Sequence, residues 1–218
     1  MANWCSNCFV VYGEDQILLK KFYKDMQKAV SEEFNKNHDW NKDWLGNLFL
    51  AAGYSLKEIE DGIICRGTID CVTLKKKKNA VFLDTTTAWT PNDESMEKMI
   101  REKYPGLHIV YQAFEFGCDI CETNDRERKF FPDSYFIDSC SDYGEIPEIY
   151  QSYKTANDVI EEIAKIGKIT PQEVKEYWNN SGEKNLENVD WDEYLIDVLK
   201  LDRDEQDIIF NVHEICIV

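Results

Sequence analysis

Two pairs of cysteines have the spacing of metal ligands. Cys5 and Cys8 form one C-x-x-C motif, and Cys118 and Cys121 form another. Four thiolates at such spacing are the ligand set of a tetrahedral Zn²⁺ site. In the fold inferred below, the first and fourth strands are neighbours, so the start of the first and the end of the fourth lie close together. The sequence therefore permits one zinc site built from both motifs.

A simpler interpretation is that these cysteines are packing residues. Residues three apart on a regular strand point to opposite faces of a sheet, which would separate Cys5 from Cys8. A free cysteine is commonly a small buried hydrophobe. Redox chemistry is also disfavoured, because a lowered thiol pKa in C-x-x-C usually requires a helix N-terminus and this motif leads into a strand. We favour packing, with zinc as the alternative.

A second candidate for chemistry is a carboxylate between two aromatic residues. Glu115 lies between Phe114 and Phe116 in a predicted strand, and burial there would raise its pKa. Arg66, in the predicted neighbouring hairpin, is a candidate partner. The sequence thus predicts a buried polar pair of Glu115 and Arg66, against the simpler expectation that Glu115 faces solvent.

Motifs of known catalytic mechanisms are absent from the sequence. The three histidines are His38, His108 and His213, and none accompanies a nucleophile motif, a phosphate-binding glycine loop or H-E-x-x-H. We therefore expect a protein without catalytic activity.

Composition and charge restrict the possible partners. The 218 residues include 43% hydrophobic and 13% aromatic residues, enough for a packed core. The net charge of −17 disfavours nucleic acid, whose binding requires cations against phosphates. The run Lys75–Lys78 is a possible phosphate contact, although a charged hairpin tip is usually solvated.

Negative charge is concentrated near the C-terminus. Residues 142–207 contain 18 Asp plus Glu against 7 Lys plus Arg, a balance of −11. Solvated helix faces account for such a density in many proteins. The alternative is an acidic surface that mimics nucleic acid and occupies a basic groove on a partner.

The sequence carries no sign of export or of a membrane span. The N-terminus has no basic segment followed by an apolar stretch, and no apolar run approaches 18 residues. The eight cysteines occur in a chain with a large core, so we expect reduced thiols and a cytoplasmic protein without membrane association.

Hydrophobic periodicity predicts an α+β protein. The first half is predicted to contain four strands and two helices in the order β-α-β-β-α-β, the split pattern of ferredoxin-like folds. The predicted strands are 8–12, 63–74, 80–86 and 108–116, and the predicted helices are 14–34 and 93–104.

The remaining residues are predicted to extend this domain. We expect extra strands at 118–123 and 134–139, which gives an antiparallel sheet domain over 1–141. Helical periods at 156–166, 171–178 and 191–201 predict an acidic helical appendage over 142–206, and 207–218 is predicted to be a strand that returns to a sheet.

Several short blocks resemble one known family. They are Asn3-Trp4-Cys5-Ser6-Asn7, Trp44-Leu45-Gly46, Arg66-Gly67-Thr68-Ile69, Ala88-Trp89-Thr90-Pro91, Tyr104-Pro105 and Glu115-Phe116-Gly117. Together they are similar to the YubB-type ferredoxin-like family of plasmid, phage and bacterial proteins. The resemblance covers roughly residues 1–120, and Cys8, Cys118 and Cys121 are not part of its pattern. It implies the ferredoxin-like fold and an origin on mobile elements, and it implies no catalytic residues.

Exposed tryptophans would provide a binding surface. Trp4, Trp40, Trp44 and Trp89 are candidates, although large aromatic residues near strand ends more often belong to the core. We expect a non-catalytic protein-interaction module whose partner is a protein, with the zinc or thiol protein and the acidic nucleic-acid mimic as alternatives.

Overall fold

The computed structural model describes residues 3–35, 43–141, 144, 146–202 and 208–218. The chain divides into two compact units, Met1–Phe130 with Ile217–Val218 and Phe131–Cys216. Both units contain helices and antiparallel strands, which confirms the predicted α+β class. Within the described ranges, no helix combines the length and the apolar character that a membrane crossing requires.

The first unit is built on an antiparallel sheet. Its main strands are β1 (Trp4–Tyr12), β2 (Gly67–Lys75), β3 (Ala80–Ala88), β4 (His108–Glu115) and β5 (Ile120–Thr123). They lie in the order β2-β3-β1-β4-β5, and Cys216–Ile217 forms a further strand beside β5. β1 pairs with β3 on one side and with β4 on the other. The hydrophobic CFVVY segment is therefore central.

Among the described residues of this unit, five α-helices accompany the sheet. They are α1 (Gln16–Ala29), α2 (Glu32–Asn35), α3 (Gly46–Ala51), α4 (Leu56–Gly62) and α5 (Asp93–Lys103). α1 and α5 contribute Phe22 and Met99 to one core with Phe9 of β1 and Tyr111 of β4. Alternate residues of β1 thus face the helices, as strand geometry requires.

The predicted helix over 14–34 is wrong at its C-terminal end. The backbone N–H of Ser31 donates to Lys28 O, and its hydroxyl accepts from the Phe34 N–H. Ser31 therefore separates α1 from a new short helix, α2. Such local side-chain bonds are the usual reason why serine interrupts a helix.

The second unit has a smaller sheet and, in the part of it that the structure describes, three α-helices. Its strands are β6 (Tyr135–Ser141), β7 (Ile149–Tyr153) and β8 (Ile208–Glu214), in the order β7-β6-β8. Its helices are α6 (Ala156–Gly167), α7 (Pro171–Ser181) and α8 (Trp191–Leu199). Trp191, Ile163, Val174 and Phe210 lie in its core.

The strand predicted at 134–139 lies in a different sheet from the one expected. It forms most of β6, which pairs with β7 and β8 rather than extending the sheet of the first unit. Its alternating pattern fits either sheet, and its partners come later in the chain. The sheet to which this strand belongs is decided by its pairing with distant segments, and the local sequence does not specify that pairing.

Candidate functional site

The four cysteines of the C-x-x-C motifs do not form a metal centre in the described residues. Cys5 is fully buried in the core of the first unit. Cys8 lies three residues further along a strand of regular register, and therefore on the opposite face. In the ranges that the structure describes, no three His, Cys, Asp or Glu side chains are grouped to hold a metal ion.

Burial lowers the reactivity of the two thiols of the first motif, Cys5 and Cys8. Removal from water raises the pKa of the Cys5 thiol to about 12, and the negative charges of Glu115 and Glu122 add to this effect. Burial and the neighbouring Asp84 also raise the pKa of Cys8. Because the thiolate is the nucleophile and the metal ligand, both residues are poor candidates for thiol chemistry.

Glu115 and Arg66 are not brought together. Glu115 ends β4 and accepts from the Gly117 N–H at 3.0 Å, while Arg66 is exposed and directly precedes β2. β3 and β1 lie between these strands, and three strand spacings amount to about 14 Å. The predicted polar pair is therefore wrong. The error arises because β2 is next to β3 and not next to β4.

The tryptophans give a clearer site. Trp4 is 52% exposed and Trp89 is 45% exposed, whereas Trp44 is half-buried against the core. Trp40 and His38 lie outside the described residues. Large aromatic side chains are normally well buried, so two exposed tryptophans in one unit are informative.

Trp4 and Trp89 lie at the same end of the sheet. Trp4 begins β1 and is the register partner of Ala88, the last residue of β3. The Trp89 N–H donates to Asn3 O at 3.0 Å, and the Ala88 N–H donates to Arg66 O at 3.0 Å. We call Trp4, Trp89 and Arg66, all three exposed, the tryptophan patch.

The backbone at Trp89 is in an unfavourable conformation. Its φ is +74°, and the N–H of Thr90 donates to the carbonyl of Ala88 at 3.0 Å. A bond from residue i+2 to residue i around a positive φ is the pattern of the strained form of the γ-turn. A bulky residue with positive φ is a genuine outlier. The fold therefore holds Trp89 on the surface at an energetic cost.

A buried hydrogen-bond network supports this turn from below. The amide nitrogen of Asn7 donates to the hydroxyl of Thr87 at 2.8 Å, and that hydroxyl donates to the carbonyl of Thr90. Asn7 also donates to Cys5 O and accepts from the Cys5 thiol, each at 3.0 Å. The network links β1 to both flanks of Trp89, so it fixes the position of the turn.

The connection from the turn into α5 carries a second residue with positive φ. Asn92 has a φ of +59° and precedes the first residue of α5. Its side-chain nitrogen is buried without a hydrogen-bond partner in the part of the chain that the structure describes. Asparagine tolerates this conformation far better than tryptophan does, so the strain is specific to Trp89.

The acidic residues of the segment 142–207 include exposed glutamates on the helical surface of the second unit. Glu161, Glu176, Glu183 and Glu187 are exposed on or beside α6 and α7. Between α7 and α8, the partly buried Tyr177 stacks on the buried Tyr194 with ring centroids 4.0 Å apart. After burial, the charges of neighbouring carboxylates raise the pKa of both tyrosines. The exposed surface of these helices is therefore anionic.

The sequence indicated parts of these surfaces and missed others. Trp4 and Trp89 were among the candidate binding residues, and Arg66 was assigned a different role. The strained turn was not predicted. The only sequence signal near it is Thr90-Pro91 after a strand, which marks a turn but does not specify positive φ at the preceding tryptophan.

Comparisons with models of known protein families, with curated proteins and with solved structures find no match to this chain. What the chain does is therefore inferred from the arrangement of its own residues.

Proposed function

We propose that the chain is a non-catalytic protein-binding module and that the tryptophan patch is its contact surface. The observation that carries this proposal is the exposure of Trp89 at a positive φ next to the exposed Trp4. Tryptophan and arginine are the residues most enriched among those that dominate the energy of protein interfaces.

The energetics favour a role in binding over a role in folding. A residue in a sparsely populated backbone region costs of the order of 1–3 kcal/mol, and such strain concentrates at ligand clamps and other functional sites. Trp89 leaves nearly half of its surface in water, so it recovers only part of its burial energy within the chain. A partner that covers the indole would recover the remainder.

We also propose a ferredoxin-like arrangement for the first unit and a relationship to the YubB-type family. The order β4-β1-β3-β2 and the antiparallel pairing of these strands support the fold. The family implies interaction with macromolecules of a host or a mobile element, which agrees with a binding role. The setting proposed for this interaction is the cytoplasm.

Photo-crosslinking tests the binding role at the residues concerned. A photo-reactive phenylalanine analogue is placed at Trp4, at Trp89 or at Ile17, and the protein is irradiated in its native cell. Ile17 is the control, because it is apolar and 83% exposed but lies on α1. We expect one protein adduct from positions 4 and 89 that position 17 does not give. Identical adducts from all three positions, or none, would contradict the proposal.

A second candidate function is favoured by the charge of the second unit. We propose that its acidic helices occupy a basic groove on a partner, as a nucleic-acid mimic does. The supporting observation is the balance of −11 over residues 142–207, together with exposed glutamates on these helices. Electrostatic steering would then accelerate association and make it sensitive to salt.

Charge neutralisation tests this second candidate. A variant with Glu161→Gln, Glu176→Gln and Glu183→Gln should associate more slowly with the crosslinked partner and show a weaker salt dependence. The matched control replaces three exposed glutamates of the first unit, Glu33→Gln, Glu60→Gln and Glu94→Gln. Equal effects of the two triple variants would indicate a general charge effect and contradict the mimic.

A further inference from the structure

A cleft lies at the other end of β1 from the tryptophan patch. It is a cleft of about 610 Å³, within the size range of small-molecule sites. Its lining comes from the end of β1 and the turn into α1, the tip of the β2–β3 hairpin, the start of β4 and the segment after β5. The lining residues used below are Tyr12, Gly13, Lys78, Asn79, His108 and Lys129.

Two lysines of this cleft are held by aromatic rings. The Lys129 Nζ lies 4.8 Å from the ring centroid of Tyr12 and 5.1 Å from that of Phe130. The Lys78 Nζ lies 5.7 Å from the ring centroid of Phe82. The rings of Phe82 and Phe130 are themselves 6.4 Å apart, so one aromatic cluster positions both cations.

Neither lysine is neutralised by a carboxylate. Within the described ranges, no ion pair involves Lys78 or Lys129. A cation over an aromatic ring keeps its N–H donors available for another ligand. The two ammonium groups are therefore positioned and still able to bind an anion.

The walls of the cleft are fixed by specific contacts. The side chain of Asn79 donates to Gly13 O at 3.1 Å, which ties the hairpin tip to the turn after β1. A Cβ on Gly13 would lie 2.8 Å from a methyl carbon of Leu107 and 3.1 Å from Gly106 O, so a side chain there would require these neighbours to shift. The rings of Tyr12 and His108 lie 5.5 Å apart on neighbouring strands. The cleft is preformed.

Two carboxylates also line the cleft, and they narrow the choice of ligand. Asp15 is engaged as the cap of α1, where it accepts from the N–H groups of Ile17 and Leu18. Glu14 remains exposed. The lining therefore combines two lysines, Lys78 and Lys129, with two carboxylates. A ligand with an anionic group and hydroxyl donors fits both sides.

We propose that this cleft binds a small phosphorylated molecule, with Lys78 and Lys129 as the two cationic contacts of its phosphate group. A mononucleotide has both the phosphate and the hydroxyl donors. This site differs from the tryptophan patch. β1 has nine residues, so its two ends lie about 26 Å apart, and either site can fail a test without affecting the other.

Calorimetry with AMP and adenosine tests the proposal. The two probes differ only in the phosphate, and we expect AMP to bind at least about 10-fold more tightly than adenosine. Lys78→Gln and Lys129→Gln should each weaken AMP binding by about 10-fold, the effect of one lost charged hydrogen bond. Lys77→Gln is the matched control, because this neighbour in the same run does not line the cleft. It should leave the affinity within about 2-fold.

Three results would overturn the proposal. AMP and adenosine could bind equally or not at all. Lys77→Gln could weaken AMP binding as much as Lys78→Gln does. A single-stranded oligonucleotide could bind far more tightly than AMP, with equal losses for all three lysine variants, which would assign the lysines to a nucleic-acid surface. Circular dichroism of each variant distinguishes a lost contact from a lost fold.

Discussion

Asn7 on β1 donates a hydrogen bond to the hydroxyl of Thr87 on β3 at 2.8 Å, directly below the tryptophan patch. Both side chains are almost completely buried. Buried polar groups need hydrogen-bond partners. The Thr87 hydroxyl in turn donates to the carbonyl of Thr90, the residue after Trp89. The central strand pair of the sheet and the exposed turn are thereby connected through two side chains.

Removal of the Thr87 hydroxyl should destabilise the fold. Thr87→Val keeps the shape of the side chain but leaves the carbonyl of Thr90 and one Asn7 N–H without this partner. We expect the free energy of unfolding to fall by about 1–3 kcal/mol in urea titrations. Thr86→Val is the control, because its hydroxyl bonds Asp70 at an exposed position. Equal losses for the two variants would contradict a special role of the buried network.

At the strained turn, we expect a glycine variant to be more stable than an alanine variant, which reverses the usual order of stability. At ordinary helix or strand positions glycine is less stable than alanine by about 0.5–1 kcal/mol. At a positive φ the Cβ of alanine costs about 1–2 kcal/mol that glycine avoids. Since φ is +74° at Trp89, Trp89→Gly should be more stable than Trp89→Ala. Urea titrations of both variants measure the difference, and the usual order would contradict the turn.

The cysteines should fall into two reactivity classes. Burial raises the pKa of Cys5 to about 12, so its thiolate is scarce at pH 8. Cys71, Cys140 and Cys216 are exposed. We expect iodoacetamide to modify these three in the native protein and to reach Cys5 only after unfolding, as read by peptide mass spectrometry. Modification of native Cys5 at the rate of Cys71 would contradict its burial.

The second unit should lose stability on acidification through His213. Burial lowers the pKa of this imidazole, so the unfolded state binds the proton more readily than the folded state. Its contribution is fully present above the ordinary histidine pKa of about 6.5 and is lost as pH falls from there through the lowered value.

A histidine variant isolates this effect from those of other groups. Burial raises the pKa of Asp192, which acts in the opposite sense because its protonated form is favoured in the folded state. Urea titrations at several pH values between about 7.5 and 5 should show a smaller loss of stability for His213→Gln than for the unaltered chain. Parallel curves would rule out His213 as a source of the pH dependence.

Much of the first unit could be predicted because its signals are local. β1 ends at Tyr12, directly before Gly13, as expected, although it begins at Trp4 and not at the predicted Cys8. α5 begins directly after Thr90-Pro91-Asn92, also as expected. α4 was missed although Ser55 and Glu58 form a capping box, which is a recognisable start signal. The sequence therefore contains a local start signal for α4 as well.

The candidate site was less accessible to prediction because it depends on distant contacts. The separation of Arg66 from Glu115 follows from the strand order, and the exposure of Trp89 follows from a turn held by Asn7, eighty residues away from Thr87 in the chain. Backbone strain has no sequence signature, since the surrounding structure imposes it. A tryptophan at a strand end therefore gives the same signal whether it is buried or exposed.

The most direct test of the binding role measures the affinity of the Trp89→Gly variant for the partner that photo-crosslinking identifies. This variant removes the indole and also relieves the strained backbone, so a loss of binding cannot be attributed to added strain. We predict a folded protein with at least a tenfold loss of affinity for the partner, about 1.4 kcal/mol, as expected for an interface hot spot. Affinity equal to that of the unaltered chain would contradict the account.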